Sequence, residues 1–429
     1  MHPYTLYPIP YTLYPIPYTL YPIPYSRKTT IMATPEIKHD LYIQFGNEYG
    51  PEEEQAVIDV LRKNAPTSGA ACVQFEKEFA AYCGTTYARC VSNGTAALFL
   101  SMVGIGIQPG DRVITTPMTW IATAAAAATL GAEIDFVDVD PETFNLDPAR
   151  IEEKITPKTK AIIPVHLYGQ CCDMDAILDI AGRHGIAVVE DACHTVGGAY
   201  KGRKAGSFGV TGCFSFHEQK NMATLGEGGM ITTSNPDVFE RIALYRSHCT
   251  RVYGTSTKYC SLDETRFPKG KRFWWQDFDD TGYNFRMTDI QAAVGSIQLR
   301  KLDDFNQRRI RNAARITEGL RDVPGLQLPV VRPECLHVFH LYPVVLDPEK
   351  FGVNKEDFIY RMLHERGVKV GAHYIPLHWT TAFRKRGYGP GQFPVADQAG
   401  ERLVTLPINP RMTDEAIDYL IESVRAMQG

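Results

Sequence analysis

The chain has no apolar run long enough to cross a bilayer, which takes about 18 to 20 residues. Its longest such stretch, Ile121 to Leu130, reads as a buried helix. It has no basic excess either. Forty-five Lys and Arg stand against 49 Asp and Glu, for a formal charge of −4, where a nucleic-acid binder carries a strong positive balance. There is no HExxH, no CxxC pair, no zinc-type Cys/His spacing and no helix-turn-helix segment. The ten cysteines, two of them adjacent at Cys171 and Cys172, fall in apolar stretches. Free cysteine there behaves as a small hydrophobe, so reduced, buried thiols in a cytoplasmic protein are expected rather than disulfides or a metal. The only glycine pattern suggesting a nicotinamide site, GIGIQPG at 104–110, has the wrong spacing for GxGxxG, and no strand leads directly into it.

What is present is a chain of 429 residues, long enough for two or three domains and a large core. Residues 3–25 repeat PYTLYPI three times and end in PY. Two prolines per unit forbid a helix, so residues 1–31 are expected to be extended and disordered. Two readings of the repeat stay open: a ligand for a proline-binding module, or a translated upstream repeat with Met32 as the natural start. The segment lacks the basic start and apolar core of a signal peptide.

Beyond Met32 the periodicity alternates. Glu52–Lys63 and Val73–Cys83 read as amphipathic helices, the first with acidic residues at its start, as the helix dipole prefers. Short β-rich runs then recur at 112–116, 133–139, 161–168, 187–190, 213–216 and 229–233, with a helix pattern at 173–184 between two of them. This alternation predicts an α/β fold with a mostly parallel central sheet covered by helices. A polar, aromatic excursion covers 251–280, and a strong helix follows at 288–307. The period changes past about residue 320, which suggests a large domain over 32–300 and a smaller C-terminal α+β domain over 301–429.

Ligands of such sheets bind beyond the carboxyl ends of the strands, so the residues just after each strand deserve a chemical reading. Lys220, in FSFHEQKNMATLGEGGM, follows a strand and precedes a tight GEGG turn; desolvated there, its amine would be less basic and able to form a Schiff base. Asp191 ends the apolar strand of VVEDACHTVGG. A carboxylate buried there needs a cationic partner, and a protonated pyridine nitrogen is one; a catalytic acid or a metal ligand reads the same way. Ser92-Asn93-Gly94-Thr95 opens an apolar helix, a pattern for an anion site or for plain N-capping, and Ser215 could add a hydroxyl. Trp120 follows the strand of RVITTP and could stack on a flat ring or pack in the core.

With these segments the chain, from about residue 40 to its end, resembles the DegT/DnrJ/EryC1/StrS family of aminotransferases, which use pyridoxal 5'-phosphate and have fold type I. The matching stretches are SGAACVQFEKEFA, SNGTAAL, GDRVITTPMTWIATA, IIPVHLYGQ, VVEDACHTVGG, FSFHEQKNMATLGEGGM, GYNFRMTDIQAAVGSIQL and HYIPLH. The resemblance implies that Lys220 is the lysine covalently joined to the cofactor and that Asp191 holds the pyridine nitrogen. Gly94, Thr95 and Ser215 would hold the phosphate, and Trp120 would stack on the ring, where the family more often has Phe. His194 stands where the family usually has Gln, near the ring hydroxyl. Asn284 matches an asparagine that reaches the phosphate across a homodimer interface. His217, Tyr374 and His378 would line the substrate side.

The resemblance also implies the reaction: an amino group passes from glutamate or glutamine to a nucleotide-linked 3- or 4-keto sugar, in aminosugar biosynthesis. Trp120 also resembles relatives acting on keto cyclitols of the scyllo-inosose type. Relatives that deoxygenate sugars carry histidine in place of the lysine, so Lys220 favours transamination. A non-catalytic regulatory homologue is disfavoured because both Lys220 and Asp191 are retained. Expected partners are therefore small molecules and a second copy of the chain, with no nucleic acid and no membrane.

Overall fold

Seven short strands build the central sheet of the computed structural model, which describes residues 48–63, 68–251 and 277–428. The repeat at 1–31 and most of the 251–280 excursion lie outside the described residues. In chain order the strands are β1 (Tyr87–Val91), β2 (Arg112–Thr115), β3 (Glu133–Phe136), β4 (Thr159–Ile162), β5 (Ala187–Asp191), β6 (Thr211–Ser215) and β7 (Gly229–Thr233). They lie side by side in the order β1-β7-β6-β5-β4-β2-β3. Strands β6, β5, β4, β2 and β3 are mutually parallel, and β7 is antiparallel to both β6 and β1. Six strands thus run one way, and their carboxyl ends share one edge of the sheet.

Alternation along the strands feeds two cores. Val91, Val113, Ala161, Val189, Cys213 and Ile231 face one side. Their neighbours Cys90, Ile114, Ile162, Val188, Phe214 and Met230 face the other. The first face is covered by α3 (Gly94–Ile105), α4 (Ile121–Ala128) and α6 (Pro236–Arg246). The second is covered by α2 (Ala70–Cys83), α5 (Met174–His184) and the start of α7 (Asp289–Leu320), while α1 (Pro51–Arg62) packs along α7. Burial on both faces explains why β6 and β7 carry almost no exposed residue.

Helix α7 starts at a capping box, in which the Thr288 side chain and the Gln291 side chain each bond the other's backbone N–H. It is far longer than the 288–307 pattern suggests, running 32 residues without a break. Ala292, Leu299 and Leu302 pack on the sheet, whereas Ala313, Ile316 and Leu320 belong to a separate core. That core is completed by a three-stranded sheet of Leu326–Gln327, Tyr342–Leu346 and Leu403–Leu406, and by helices Lys355–Arg366 and Asp414–Arg425. The expected division at residue 300 therefore falls inside one continuous helix.

The largest difference in extent among the expected strands is at 161–168, where the strand is Thr159–Ile162. The run 161–168 ends as a strand at Ile162, because Pro164 has no N–H to give a ladder and Tyr168 turns to a φ of 58°. Strand β1 falls outside the expected β-rich runs.

Candidate active site

A cavity of about 440 Å³ opens at the carboxyl edge of the sheet, within the size range of small-molecule sites. Strand β5 supplies its first wall. Adjacent residues point to opposite faces, so Glu190 and Asp191 divide the work. Glu190 faces the second core, where it accepts the backbone N–H groups of Gly206, Phe208 and Gly209 at 2.6–2.7 Å and meets His166 Nε2 at 3.0 Å. This fixes the strand end. Asp191 faces the cavity: its Oδ2 accepts from Thr123 Oγ1 at 2.7 Å, and its Oδ1 from the Cys193 N–H at 3.2 Å.

Strand β6 supplies the second wall. Ser215 is its last residue, and the chain then turns back through Lys220 to β7. The turn is tied by Lys220 N–H to His217 O at 2.8 Å, Glu218 N–H to Gly226 O at 3.0 Å and Phe216 N–H to Gly228 O at 2.8 Å. Gly228 has to be glycine here, since a Cβ would lie 2.0 Å from Thr224 Oγ1. Next to the lysine, Asn221 donates to Asn306 Oδ1 at 2.8 Å and to Val338 O at 3.1 Å, pinning the segment to α7. The Lys220 amine lines the cavity with Asp191. Burial lowers its pKa from the usual lysine value, and the neighbouring Cys193 and Asp191 partly offset that.

Strand β1 leads into the third wall, the turn Ser92-Asn93-Gly94-Thr95. Asn93 caps α3, its Oδ1 accepting the Ala96 N–H at 2.8 Å. The helix N-terminus points its positive end at the cavity beside Ser215, an anion site. A Cβ on Gly94 would stand 2.8 Å from Ser215 Cβ and 3.1 Å from Cys193 Sγ, so glycine is what lets the helix start approach β6.

The remaining expected residues separate into two groups. Trp120 starts α4 with 62% of its surface exposed, which is unusual for tryptophan in a folded interior, and its ring centre lies 6.1 Å from that of Tyr374. His194 is buried against His340, at 4.4 Å between ring centres, and its Nε2 is 3.0 Å from Tyr374 Oη. Its Nδ1 is buried with no partner among the described residues. Burial first, then the neighbouring Lys220 and His373, holds the ring well below the usual histidine pKa. His217 also lines the cavity.

Two residues do not join them. Asn284 is exposed, pairs its backbone with Ser247 and lies off the cavity of its own chain. His378 is a correction to the expectation that it lines the substrate side. Its ring is fully buried, with Nε2 2.8 Å from Asp397 Oδ1 and its centre 4.9 Å from that of Phe393. The turn Leu377–Trp379 aims it into a packed interior.

The cavity also recruits residues that the sequence reading did not single out: Thr123, Cys193, His340 and His373. Thr123 lies one helical turn beyond Trp120, and His373 directly precedes Tyr374, so both spacings were signals. His340 had none, being brought in only by the fold.

Pyridoxal phosphate fits this residue set. An amine of lowered basicity faces it, a carboxylate stands ready for a ring N–H, and a helix start too tight for any side chain suits a phosphate. The buried, unpartnered Nδ1 of His194 shows polar capacity left unused. Among the described residues, no group of three or more His, Cys, Asp or Glu could hold a metal ion, and no helix is long and apolar enough to cross a membrane.

Comparison with known proteins agrees. The chain is 40% identical over 377 residues to the spore coat polysaccharide biosynthesis protein SpsC of Bacillus subtilis, covering 88% of this chain and 94% of that protein. It is 35% identical over 379 residues to the dTDP-3-amino-3,4,6-trideoxy-alpha-D-glucose transaminase of Streptomyces venezuelae, covering 88% and 92%. The X-ray structure of the aminotransferase from Psychrobacter cryohalolentis superposes with a TM-score of 0.81 at 32% identity, covering 88% of this chain and 97% of that one. The model of the DegT/DnrJ/EryC1/StrS aminotransferase family matches residues 47–425. With its lysine, its aspartate and its anion cradle at one sheet edge, the chain belongs to that family.

Proposed function

We propose that this pyridoxal-phosphate-dependent transaminase moves an amino group from glutamate or glutamine to a nucleotide-linked 3- or 4-keto sugar, in aminosugar biosynthesis. The observation that carries this reading is the meeting of Lys220, Asp191 and the Gly94 helix start, from three separate strands, around one cavity. The Streptomyces venezuelae relative, whose name specifies a dTDP-linked amino sugar, supports the substrate class.

When bound, pyridoxal phosphate supplies an aldehyde that holds amines covalently and a ring that accepts electron density from the adjacent carbon. The chain's own residues do the rest. Lys220 Nζ would hold the cofactor at rest and, once free, would take and return the proton at the substrate carbon, as base and then acid. Its lowered basicity leaves more of it neutral at working pH. Asp191, oriented by Thr123 and the Cys193 N–H, holds the proton of the ring nitrogen. The N–H groups of Gly94 and Thr95, with the Ser215 hydroxyl, would hold the phosphate. Trp120 would cover the ring, and His217 and Tyr374 would border the acceptor. Asn284, exposed and off its own cavity, would complete the phosphate site of a second copy in a homodimer.

A second reading, a keto cyclitol of the scyllo-inosose type as acceptor, rests on Trp120 at the stacking position. Half-reaction spectroscopy separates the two. The protein is converted to its amine form with glutamate or glutamine, and keto sugars and keto cyclitols are screened for return of the yellow colour. Return with a nucleotide-linked keto sugar supports the first reading. Return with the cyclitol alone overturns it.

A further inference from the structure

His194 and Tyr374 meet at 3.0 Å between Nε2 and Oη, and the rest of the histidine ring settles which atom donates. Burial, with Lys220 and His373 nearby, keeps His194 neutral, so the ring carries a single hydrogen, on Nδ1 or on Nε2. Nδ1 is buried and has no partner among the described residues. A hydrogen there would be an orphaned buried donor, which proteins tolerate less well than an orphaned acceptor. The hydrogen therefore belongs on Nε2, where it points at Tyr374 Oη. The tyrosine oxygen accepts that bond and keeps its own hydrogen for another partner.

Tyr374 stays protonated. Burial, then the neighbouring Asp191 and Cys193, raises its pKa far above the usual range. Its side chain lines the cavity with Lys220, Asp191 and Trp120. The ionisable groups around the pair include Lys220, His340 and His373 on the histidine side and Asp191, Cys193 and Tyr168 on the tyrosine side.

We propose that Tyr374, held by the Nε2–H of His194, is the hydrogen-bond donor for the oxygen of the reacting carbonyl. This rests on the transaminase reading above and gives one of its bordering residues a chemical task. When an amine nitrogen adds to the carbonyl carbon, the C–N bond forms and the π electron pair moves onto oxygen. The Tyr374 O–H stabilises that growing charge without giving up its proton, in the manner of a preorganised oxyanion donor. His194 acts through Tyr374 and is a positioning residue.

Two measurements test this. In cofactor-free protein labelled with ¹⁵N-histidine, with the signal assigned by its loss in His194→Gln, the ring should be protonated at Nε2 and bare at Nδ1. An Nδ1–H ring overturns the inference. The second uses Tyr374→Phe with the cofactor bound, comparing two rates. Exchange of the donor's α-hydrogen with deuterated water needs Lys220 but no carbonyl chemistry, whereas full transamination needs both. Turnover should fall by roughly 10²-fold, the usual cost of one preorganised donor, with exchange falling at least about tenfold less. A parallel fall of both rates overturns the inference. The cofactor-free spectrum reads the histidine whether or not the native protein turns over. Absent turnover in the native protein would therefore count against the transaminase reading alone, and an Nδ1–H ring against this inference alone.

Discussion

Thr123 Oγ1 donates to Asp191 Oδ2 at 2.7 Å, and Thr119 Oγ1 lies 2.7 Å behind it, so the cavity carboxylate is aimed by a relay of two hydroxyls from the start of α4. Removing the donor in Thr123→Val should slow turnover by about tenfold, the low end for one charge-assisted hydrogen bond, because the Cys193 N–H still holds Asp191. Asp191→Asn, which removes the charge itself, should cost more, roughly 10²–10³-fold. Steady-state kinetics of the two variants checks the ordering; equal losses would mean that Thr123 does more than aim the carboxylate.

Gly94→Ala should weaken cofactor binding with little effect on the fold. The added methyl must find room 2.8 Å from Ser215 Cβ and 3.1 Å from Cys193 Sγ, and it does so by pushing the start of α3 away from β6. A rise in the pyridoxal phosphate dissociation constant of about tenfold or more, by fluorescence titration, is expected for the loss of a well-placed phosphate contact.

The cofactor-free protein should lose stability on mild acidification. Burial lowers the pKa of His337 to about 3 and that of His373 to about 4, and it also lowers those of His194 and His340. In the unfolded chain these rings titrate near 6.5. Between the folded and unfolded values the unfolded state binds more protons, so stability rises with pH across that window and falls as pH drops from about 6.5 towards 4. The slope is about 1.4 kcal/mol per pH unit for each ring. Urea unfolding at pH 7.5 and pH 5 should show a clearly lower midpoint at pH 5, and equal midpoints would contradict it.

Glu190→Ala should destabilise the fold by about 3–5 kcal/mol, since several buried donors are orphaned at about 1–3 kcal/mol each. Three backbone N–H groups and His166 lose their acceptor at once. Thermal unfolding of the cofactor-free variant measures this. A loss under about 1 kcal/mol, typical of an exposed pair, would mean that the cradle reorganises.

The chemistry of the site was legible because it depends on local runs. Asp191 ends an apolar strand, Lys220 sits before GEGG, and Gly94 opens an apolar helix; each is a strand-end signal that the parallel sheet then gathers to one edge. The residues that were not legible arrive from far away. His340 reaches the cavity only because Asn221 ties its segment beside Lys220, with His340 Nδ1 3.2 Å from Asn221 Oδ1. His378 misled because it shares HYIPLH with Tyr374, and a single turn sends the two rings to opposite sides. The length of α7 was underestimated because its apolar face changes partner midway, from the sheet to the second core. A face that changes partner does not keep one clear stripe.

The most direct test of the account is chemical fixation of the cofactor. The protein, loaded with pyridoxal phosphate, is treated with borohydride, digested and mapped by mass spectrometry. The account predicts a pyridoxyl group on the peptide containing Lys220, with the yellow colour lost on reduction and neither colour nor label in Lys220→Ala. A label on another lysine, or a Lys220→Ala protein that still turns yellow and transaminates, would contradict it.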